Sequence, residues 1–408
     1  MALQSDYEKA QIRNMVQRAV KCASEGTTEM TPEVYRLPIE IYSPTRWEEE
    51  MNAIYRRLPL MLALSCELRG NGAYKAMKVL DVPVLIVRGD DGRVRAFVNT
   101  CTHRGRALTQ TPDEKGQCKN FTCPYHAWRF STDGKLQSVS DPRKFGEVDK
   151  SALGLRELPC EERAGFVWVC ITPGQTFDIE EYLGGMLEEL ACLEADKWYL
   201  LGSQQLESGN WKIAHDGYLE SYHIPFLHRH TLHPMWKRET LTSVSLYDHY
   251  GPLPYGPHQR MAGNAWGYDP ALMLKMKDVP ESEYTEHHFH AVRTLFPHIS
   301  ISAGRNGGLV SQLFPITADR CITVQNHVST QNPDDMTEAE KQTTQKRIEL
   351  YAAVVRDEDY STSFSIQEGV RSGGIQELLF GRNEGGAQNF HRSVEHYVQA
   401  HRKSQANA

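Results

Sequence analysis

Residues 210–230 read Asn-Trp-Lys-Ile-Ala-His-Asp-Gly-Tyr-Leu-Glu-Ser-Tyr-His-Ile-Pro-Phe-Leu-His-Arg-His. Glu220 and His223 lie three residues apart, so that on a helix they would share one face. His228 follows five residues later, beyond the helix-disturbing Pro225. Two neutral imidazoles suit a divalent transition metal, and with one carboxylate they form the facial triad that leaves positions open on a non-heme Fe(II). The spacing predicts a metal site at His223 and His228, with polar residues at a helix end as the alternative.

Two cysteine–histidine pairs lie upstream, next to hairpins that are predicted from Asp-Gly turns between β-rich runs. One residue separates Cys101 from His103, two separate Cys123 from His126, and residues 104–122 lie between the pairs. One interpretation is a tetrahedral Cys2His2 zinc site. The other is a [2Fe–2S] cluster of Rieske type, with both cysteines on one iron and both histidines on the other. The spacing alone allows both.

The residues around these ligands favour the cluster. Gly105 and Pro124 flank the ligands, in loops that must bring backbone N–H groups close to sulfur atoms. Cys118, Cys160 and Cys170 have no nearby partner histidines, and we expect them to be structural.

The runs Cys-Thr-His-Arg-Gly from Cys101 and Cys-Pro-Tyr-His-Ala-Trp from Cys123 resemble the Rieske domain of the ring-hydroxylating oxygenase α-subunits, a family of Rieske non-heme iron oxygenases. The run from residue 210 to 228 resembles the catalytic-iron motif of the same family. The resemblance covers about residues 40–370. Ala127 stands where many members carry glycine, and we expect the loop to tolerate the extra methyl group.

The resemblance implies an α+β protein. A small all-β Rieske [2Fe–2S] domain is expected over residues 41–180, after an N-terminal helical segment over residues 1–40. A larger, helix-grip-like catalytic domain with an antiparallel sheet and iron-bearing helices is expected over residues 181–408. Residues 242–290 have weak periodicity, which predicts a lid or insertion over a pocket.

The third iron ligand is expected from an acidic run far downstream. A capping box at Thr337 begins a long helix that is predicted to reach its end near the run Asp357-Glu358-Asp359. Acidic residues at a helix C-terminus oppose the helix dipole, which invites a compensating cation. The family's pattern of a Glu-Asp pair followed by Gln fits Gln367, eight residues after Asp359. We predict Asp359 as the ligand, with Asp357 as the next choice and a solvated acidic patch as the alternative.

The resemblance also implies a role for Glu220 in electron transfer between subunits. In members of the family a carboxylate bridges a cluster histidine and the iron histidine of a neighbouring subunit, and His126 and His223 would be its partners here. Glu replaces the Asp of many members and lengthens the bridge by a methylene. A homotrimer is expected, with or without a small β-subunit. No Gly-x-Gly-x-x-Gly motif follows a strand, so electrons are expected from NAD(P)H through a separate reductase, with or without a ferredoxin.

The implied function is that of a terminal oxygenase, which uses O2 to mono- or dihydroxylate an aromatic or alicyclic substrate, as in aromatic hydrocarbon catabolism. The family's Leu-Phe-Pro-His strand faces the substrate chamber, which makes Phe296, His298 and Ile299 pocket candidates, with core positions as the alternative. A demethylase or monooxygenase of a quaternary ammonium or methoxy compound stays open. A Rieske electron carrier without oxygenase chemistry is the other alternative, although it would leave the second metal motif unexplained.

The bulk composition restricts the partners. The 408 residues have a net charge of −7 and no dense basic run, which argues against nucleic-acid binding. The sequence shows neither an apolar window of membrane length nor a secretory signal, so we expect a cytoplasmic protein. His215, His230 and His233 lie at unsuitable spacings and are not expected to bind metal.

Overall fold

A computed structural model describes residues 5–232, 244–253, 256–264, 274–284 and 289–406. The chain divides into two compact units. The larger unit comprises Met1–Glu50, Leu183–Leu193 and Leu200–Ala408, and the smaller comprises Met51–Tyr182 and Glu194–Tyr199. Helices and antiparallel sheets occur together, so the predicted α+β class is confirmed.

The smaller unit is built from three antiparallel sheets. A five-stranded sheet has the spatial order Glu157–Leu158, Val94–Val98, Val82–Arg88, Ala73–Val79 and Lys115–Gln117. The two three-stranded sheets have the orders Cys160–Arg163, Phe166–Val169, Leu60–Leu64, and Asn120–Thr122, Arg129–Ser131, Leu136–Ser138. Its helical segments are Met51–Tyr55, Ser65–Leu68, Pro142–Phe145, Lys150–Leu153 and Ala195–Lys197, and Ile179–Leu183 lies at its boundary.

Both predicted Asp-Gly hairpins are present in this unit, and glycine is required at their turns. Gly92 has φ +77° and Gly134 has φ +82°, a region that side chains with a Cβ rarely adopt. A Cβ on Gly134 would also lie 2.5 Å from the ring of Phe97, which is too close for two carbon atoms. The hairpins hold the core that contains Cys101 and Cys123, so the strands place the two ligand loops.

The larger unit contains a seven-stranded antiparallel sheet. Its spatial order is Tyr199–Ser208, Arg320–Ser329, Gly307–Thr317, Ile299–Gly304, Phe289–Leu295, His258–Asn264 and Ser245–Tyr250. The last two strands fall in residues 242–290, where a lid was predicted, so the described part of this stretch extends the sheet instead. Residues 242–243, 254–255, 265–273 and 285–288 of that stretch lie outside the described residues.

Helices surround this sheet. The N-terminal helix Asp6–Glu25 begins with a capping box formed by Ser5 and Glu8. The remaining helical segments are Ile39–Tyr42, Pro44–Glu50, Met186–Ala191, Trp211–Asp216, Ile224–Leu227, Met276–Asp278, Glu281–Glu283, Pro333–Asp335, Glu338–Val354, Val355–Tyr360, Ser361–Arg371 and Gly385–Ala406. A separate two-stranded ladder pairs Tyr35–Pro38 with Glu377–Phe380.

The helix that carries the acidic run does not end there. Glu338–Val354 begins at Thr337 as predicted, but it continues through the π-helical turn Val355–Tyr360 into Ser361–Arg371. The helix-dipole argument for a cation at the acidic run was therefore wrong. A π-helical turn inside an α-helix is uncommon and often marks a functional site.

None of the helices in the described ranges is long and apolar enough to cross a membrane.

Candidate functional site

The histidines of the 210–230 stretch lie on either side of one short helix. His223 immediately precedes Ile224–Leu227 and His228 immediately follows it. Glu220 lies outside this helix, because Trp211–Asp216 ends before it and residues 217–222 form a turn and bends. The expectation that Glu220 and His223 share a helix face was wrong, and a turn brings them together instead.

Three side chains meet at one point in the larger unit. Asp359 Oδ1 lies 3.6 Å from His223 Nε2 and 3.2 Å from His228 Nε2. One ligand atom from each residue lies within 4.8 Å of the other two. Two imidazole nitrogens and a carboxylate oxygen converging in this way fit the two-histidine, one-carboxylate donor set of non-heme iron.

Two further carboxylates fix the rings. Glu220 Oε1 contacts His223 Nδ1, and Glu358 Oε2 lies 2.5 Å from His228 Nδ1. Thr231 Oγ1 donates to the same Glu358 oxygen at 2.8 Å. Because each Nδ1 is held by an acid, each Nε2 is directed at the shared point, the usual arrangement around metal-binding histidines. The sequence interpretation missed this contact of Glu358, although the residue stands beside Asp359 in the Glu-Asp pair.

Hydrogen bonds join the two segments that carry the ligands. The backbone N–H of Asn210 donates to Gln367 Oε1 at 3.1 Å, and that of Gly209 donates to Ser363 Oγ at 2.8 Å. Both acceptors lie on Ser361–Arg371, directly after the π-helical turn. The role of the Gln in the Glu-Asp-Gln pattern is therefore to anchor the helix that bears Asp359.

The alternative acid, Asp357, points elsewhere. Its carboxylate pairs with the neighbouring Arg356 at 2.7 Å and is well exposed. Asp359 and Glu358 instead face His228, which is almost completely buried. Burial opposes protonation of His228, but Asp359 and Glu358 outweigh it and raise the pKa of this imidazole. The surroundings thus attract positive charge.

The two cysteine–histidine loops of the smaller unit have the same backbone pattern. In the first, the Cys101 N–H donates to Arg106 O and the Gly105 N–H donates to Cys101 O, both at 2.9 Å. In the second, the Cys123 N–H donates to Trp128 O at 2.8 Å and the Ala127 N–H donates to Cys123 O at 2.9 Å. Gly105 and Ala127 thus occupy equivalent positions, with φ +77° and +56°. Ala127 fits the loop only in a left-handed conformation that disfavours a Cβ.

The four predicted ligand side chains of these loops lie close together. Cys101 and Cys123 are buried, and the ring centroids of His103 and His126 are 4.7 Å apart. Trp128 stacks on His103 with centroids 4.8 Å apart. Among the described residues, no hydrogen-bond partner reaches the buried Nδ1 of His126. A buried nitrogen without a partner fits a position for a metal ligand.

A cavity of about 380 Å³ adjoins the three iron-site residues. Apolar side chains from the sheet and the long helix form much of its wall, and three tyrosines also line it. The lining residues beside His223, His228 and Asp359 are Ala214, Gly217, Tyr218, Glu220, Ser221, Ile224, Leu232, Ser245, Met261, Gly263, His290, Val292, Ser302, Leu309, Tyr351, Val355 and Tyr360.

The predicted pocket residues do not line this cavity. Phe296, His298 and Ile299 are each 1% exposed and lie at the turn between two strands. The Phe296 ring stacks on Tyr397 of the C-terminal helix, with centroids 5.3 Å apart. The alternative core interpretation is therefore correct, because the turn is at the far end of the strand from His290, which does line the cavity.

The remaining histidines of the stretch do not join the site. His215 is completely buried and stacks on Phe390, and burial lowers its pKa to about 3. His230 is exposed, and His233 lies outside the described residues.

Two family matches agree with this arrangement. Residues 59–158 match the Rieske [2Fe-2S] domain, and residues 195–400 match the ring hydroxylating alpha subunit (catalytic domain). Together with the two sets of ligands, these matches define a Rieske-type oxygenase. The chain belongs to the ring-hydroxylating oxygenase α-subunit family. The first match supports the iron–sulfur cluster over zinc, and the second argues against a simple electron carrier.

Relatives include both mono- and dioxygenases. The carnitine monooxygenase oxygenase subunit of Acinetobacter baumannii is 28% identical over 87% of this chain and 89% of its own length. The anthranilate 1,2-dioxygenase large subunit of Acinetobacter baylyi is 28% identical over 54% of this chain and 48% of its own length. The crystal structure of the quaternary ammonium Rieske monooxygenase CntA shares the fold, with a TM-score of 0.70, 24% identity, and coverage of 93% of this chain and 98% of the other.

Proposed function

We propose that this protein is the terminal component of a multiprotein oxygenase, and that it oxygenates an aromatic or alicyclic substrate with O2. Electrons would come from NAD(P)H through a separate reductase, with or without a ferredoxin. The observation that carries the proposal is the convergence of His223, His228 and Asp359 on one point at the wall of a largely apolar cavity. Such a cavity suits an organic substrate placed beside an open iron coordination site.

Each unit would hold one metal group. Cys101, His103, Cys123 and His126 would bind the [2Fe–2S] cluster, and His223, His228 and Asp359 would bind Fe(II). When bound, the cluster stores and releases single electrons, and the ferrous ion supplies open positions for O2. Glu220 and Glu358 would keep the two iron histidines neutral at Nε2 by holding the proton on Nδ1. Apolar residues such as Met261 and Val292 would exclude bulk water from the substrate.

Glu220 would also carry electronic coupling between subunits of a homotrimer. Its carboxylate contacts His223 and accepts the His223 backbone N–H at 3.1 Å. The proposed second partner is His126 of a neighbouring copy of the chain. A carboxylate that accepts N–H groups from two imidazoles holds both rings and connects them through hydrogen bonds.

A Glu220→Ala variant tests this role. We expect both metals to remain bound when excess Fe(II) is supplied, whereas the reduced cluster should fail to reoxidise when substrate and O2 are added, so that turnover is lost. The measurements are iron content, the cluster spectrum, and stopped-flow reoxidation of the cluster in a single turnover. Glu220→Asp is the matched variant and should restore part of the rate. Normal reoxidation in Glu220→Ala would exclude the bridge but leave the oxygenase assignment intact.

A quaternary ammonium compound is the second candidate substrate. Tyr218, Tyr351 and Tyr360 line the cavity, and aromatic faces attract such cations. A relative that aligns over most of its length is a carnitine monooxygenase subunit, which also favours this candidate. Hydroxylation of a carbon bound to nitrogen would release an amine and an aldehyde. The aromatic candidate would instead give a product with one or two added oxygen atoms.

A substrate screen separates these candidates. The protein, loaded with both metals, is supplied with a surrogate reductase and NADH, and products are identified by mass spectrometry. Oxygenated arenes support the first candidate, and amine release supports the second. If compounds of neither class change the rate of O2 consumption, both substrate assignments are wrong.

The proposal includes three segments, an N-terminal segment, a Rieske domain and a catalytic domain, with boundaries at residues 40/41 and 180/181. It also includes a cytoplasmic location. Limited proteolysis followed by mass spectrometry tests these boundaries. Cleavage clustered within ordered strands such as Val82–Arg88 would contradict them.

A further inference from the structure

The seven-stranded sheet is split between two of its central strands. Phe289–Leu295 and Ile299–Gly304 pair only at Arg293 with Ile301, Thr294 with Ser300, and Leu295 with Ile299. On their other sides both strands stay paired to their ends, at Phe289 and at Gly304. The two strands therefore separate over residues 289–292 and 302–304, while their outer ladders remain intact.

Side-chain hydrogen bonds cross the split. Arg293 Nη1 donates to Ala303 O at 3.1 Å. His290 Nε2 lies 2.9 Å from Ser302 Oγ. Both residues line the iron-site cavity, and both also line a second cavity of about 330 Å³. Ser302 pairs with Leu309, which faces the iron-site cavity, so the contact lies at the boundary between the two spaces.

The second cavity, which we call the charged cavity, lies beside the N-terminal helix, and ion-paired side chains form part of its wall. Arg260 and Arg293 both contact Glu189 at 2.7 Å, and Arg305 contacts Glu8 at 2.5 Å. These five charged residues all line it. Ion-paired arginine and carboxylate groups attract water, which gives the charged cavity polar points beside its apolar lining.

We propose that the split is a passage for water and small polar molecules between the charged cavity and the iron-site cavity, with the His290–Ser302 contact as its gate. The use of such a passage rests on the proposed oxygenase function. Insertion of one atom of O2 into a substrate consumes protons and electrons and releases the other oxygen atom as water. A hydrated side route delivers the protons and removes the water without opening the apolar wall to bulk solvent.

Azide, a small anion that binds iron, measures the passage directly. The variants His290→Ala and Ser302→Ala remove the gate, and Ser300→Ala is the matched control, because Ser300 is buried in the intact ladder and lines neither cavity. We expect azide to bind roughly two- to tenfold faster in the gate variants. One hydrogen bond stabilises the closed state by about this factor, which the variants would lose. Equal rates in the gate and control variants would overturn the passage.

A second substitution shows which route azide takes. Ala291 lines the charged cavity but not the iron-site cavity. If azide enters through the charged cavity, adding Ala291→Leu to His290→Ala should cancel the gain in rate. A gain that persists in the double variant would mean that azide enters by another route, and the passage would be wrong.

An iron-independent measurement separates this inference from the iron assignment. Leu309→Cys places a thiol in the iron-site cavity, and its alkylation by iodoacetamide can be followed by peptide mass spectrometry. Gate removal should accelerate alkylation at position 309, while Cys192, which already lines the charged cavity, should react at an unchanged rate. Unchanged alkylation at 309 would overturn the passage. Failure of azide to bind the wild-type protein would instead contradict the iron site.

Discussion

The two proposed metal sites differ in how the chain assembles them. The cluster site takes its ligands from two loops of one small unit, each closed by hydrogen bonds within six residues of its cysteine. The iron site joins His223 and His228 to the distant acidic run. Glu358, which contacts His228 Nδ1, lies 130 residues beyond that histidine in the chain. Local loop geometry defines the first site. The second depends on helix packing, because Asp359 and the Glu358 carboxylate that holds His228 are distant in sequence, whereas Glu220 supports His223 from three residues away.

The largest effect is expected from loss of the distant ligand. Asp359→Ala should lower iron affinity by more than the roughly 10- to 100-fold loss that follows removal of a supporting hydrogen-bond partner. The cluster spectrum should not change, because the cluster loops lie in the other unit. Iron affinity is measured by competition with a chelator. Asp357→Ala is the matched control and should bind iron normally, since Asp357 pairs with Arg356 at the surface; equal losses in both variants would exclude Asp359 as the ligand.

A smaller effect is expected when the ligand stays but its support is weakened. Glu358→Gln removes the charge that holds His228 Nδ1, and iron affinity should fall by roughly 10- to 100-fold. Thr231→Val removes only the hydroxyl that donates to Glu358, so its effect should be smaller. The same chelator titration measures both variants. If Thr231→Val lost as much affinity as Glu358→Gln, the orientation of His228 would not depend on the carboxylate.

His215 belongs to the same stretch as the two iron-site histidines but lies outside the site. Burial lowers the pKa of His215 to about 3 in the folded protein, whereas the pKa is about 6.5 in the unfolded chain. Between these values the unfolded chain binds one proton more than the folded protein does. Stability should therefore fall as the pH falls, by about 2 kcal/mol at pH 5 from this residue alone. Thermal unfolding at pH 7 and pH 5 measures the loss. His215→Gln should lose less stability than wild type between these values, while His396→Gln, at an exposed position, should behave like wild type.

The smallest effect concerns the equivalent positions of the two cluster loops. Ala127→Gly should stabilise the smaller unit by about 0.5–1 kcal/mol, because glycine adopts positive φ without a Cβ penalty. Gly105→Ala should have the opposite sign, although a Cβ there would meet only Thr100 Cγ2, at 3.9 Å. Thermal loss of the cluster absorbance measures both. Destabilisation by Ala127→Gly would show that the loop conformation does not limit stability.

Much of the arrangement could be predicted because it is local. Asp-Gly turns predict the hairpins at Gly92 and Gly134, and the capping boxes at Ser5 and Thr337 predict where two helices begin. Histidine and cysteine spacing predicts which loops carry metal-ligand side chains. These signals need only neighbours along the chain.

The errors arose where distant segments meet. The helix bearing Asp359 was expected to end at the acidic run, yet a π-helical turn carries it onward. Phe296 was expected in the pocket, yet it packs against the C-terminal helix, whose position no local pattern reveals. Residues 242–290 were expected to form a lid or insertion over the pocket. Two of its strands extend the sheet and contribute Met261 and Gly263 to the cavity wall, because unpaired backbone groups at a sheet edge are satisfied by another strand.

The sequence by itself predicted the two cysteine–histidine pairs, the pair of iron-site histidines and their order, because turn chemistry and ligand spacing act over a few residues. The resemblance to the family supplied Asp359 and the α+β class. Only the tertiary structure decided that Glu358 orients His228, that Gln367 anchors the ligand helix, and that a split in the sheet lies beside two cavities. These features depend on which surfaces pack together, and packing is a property of the whole unit.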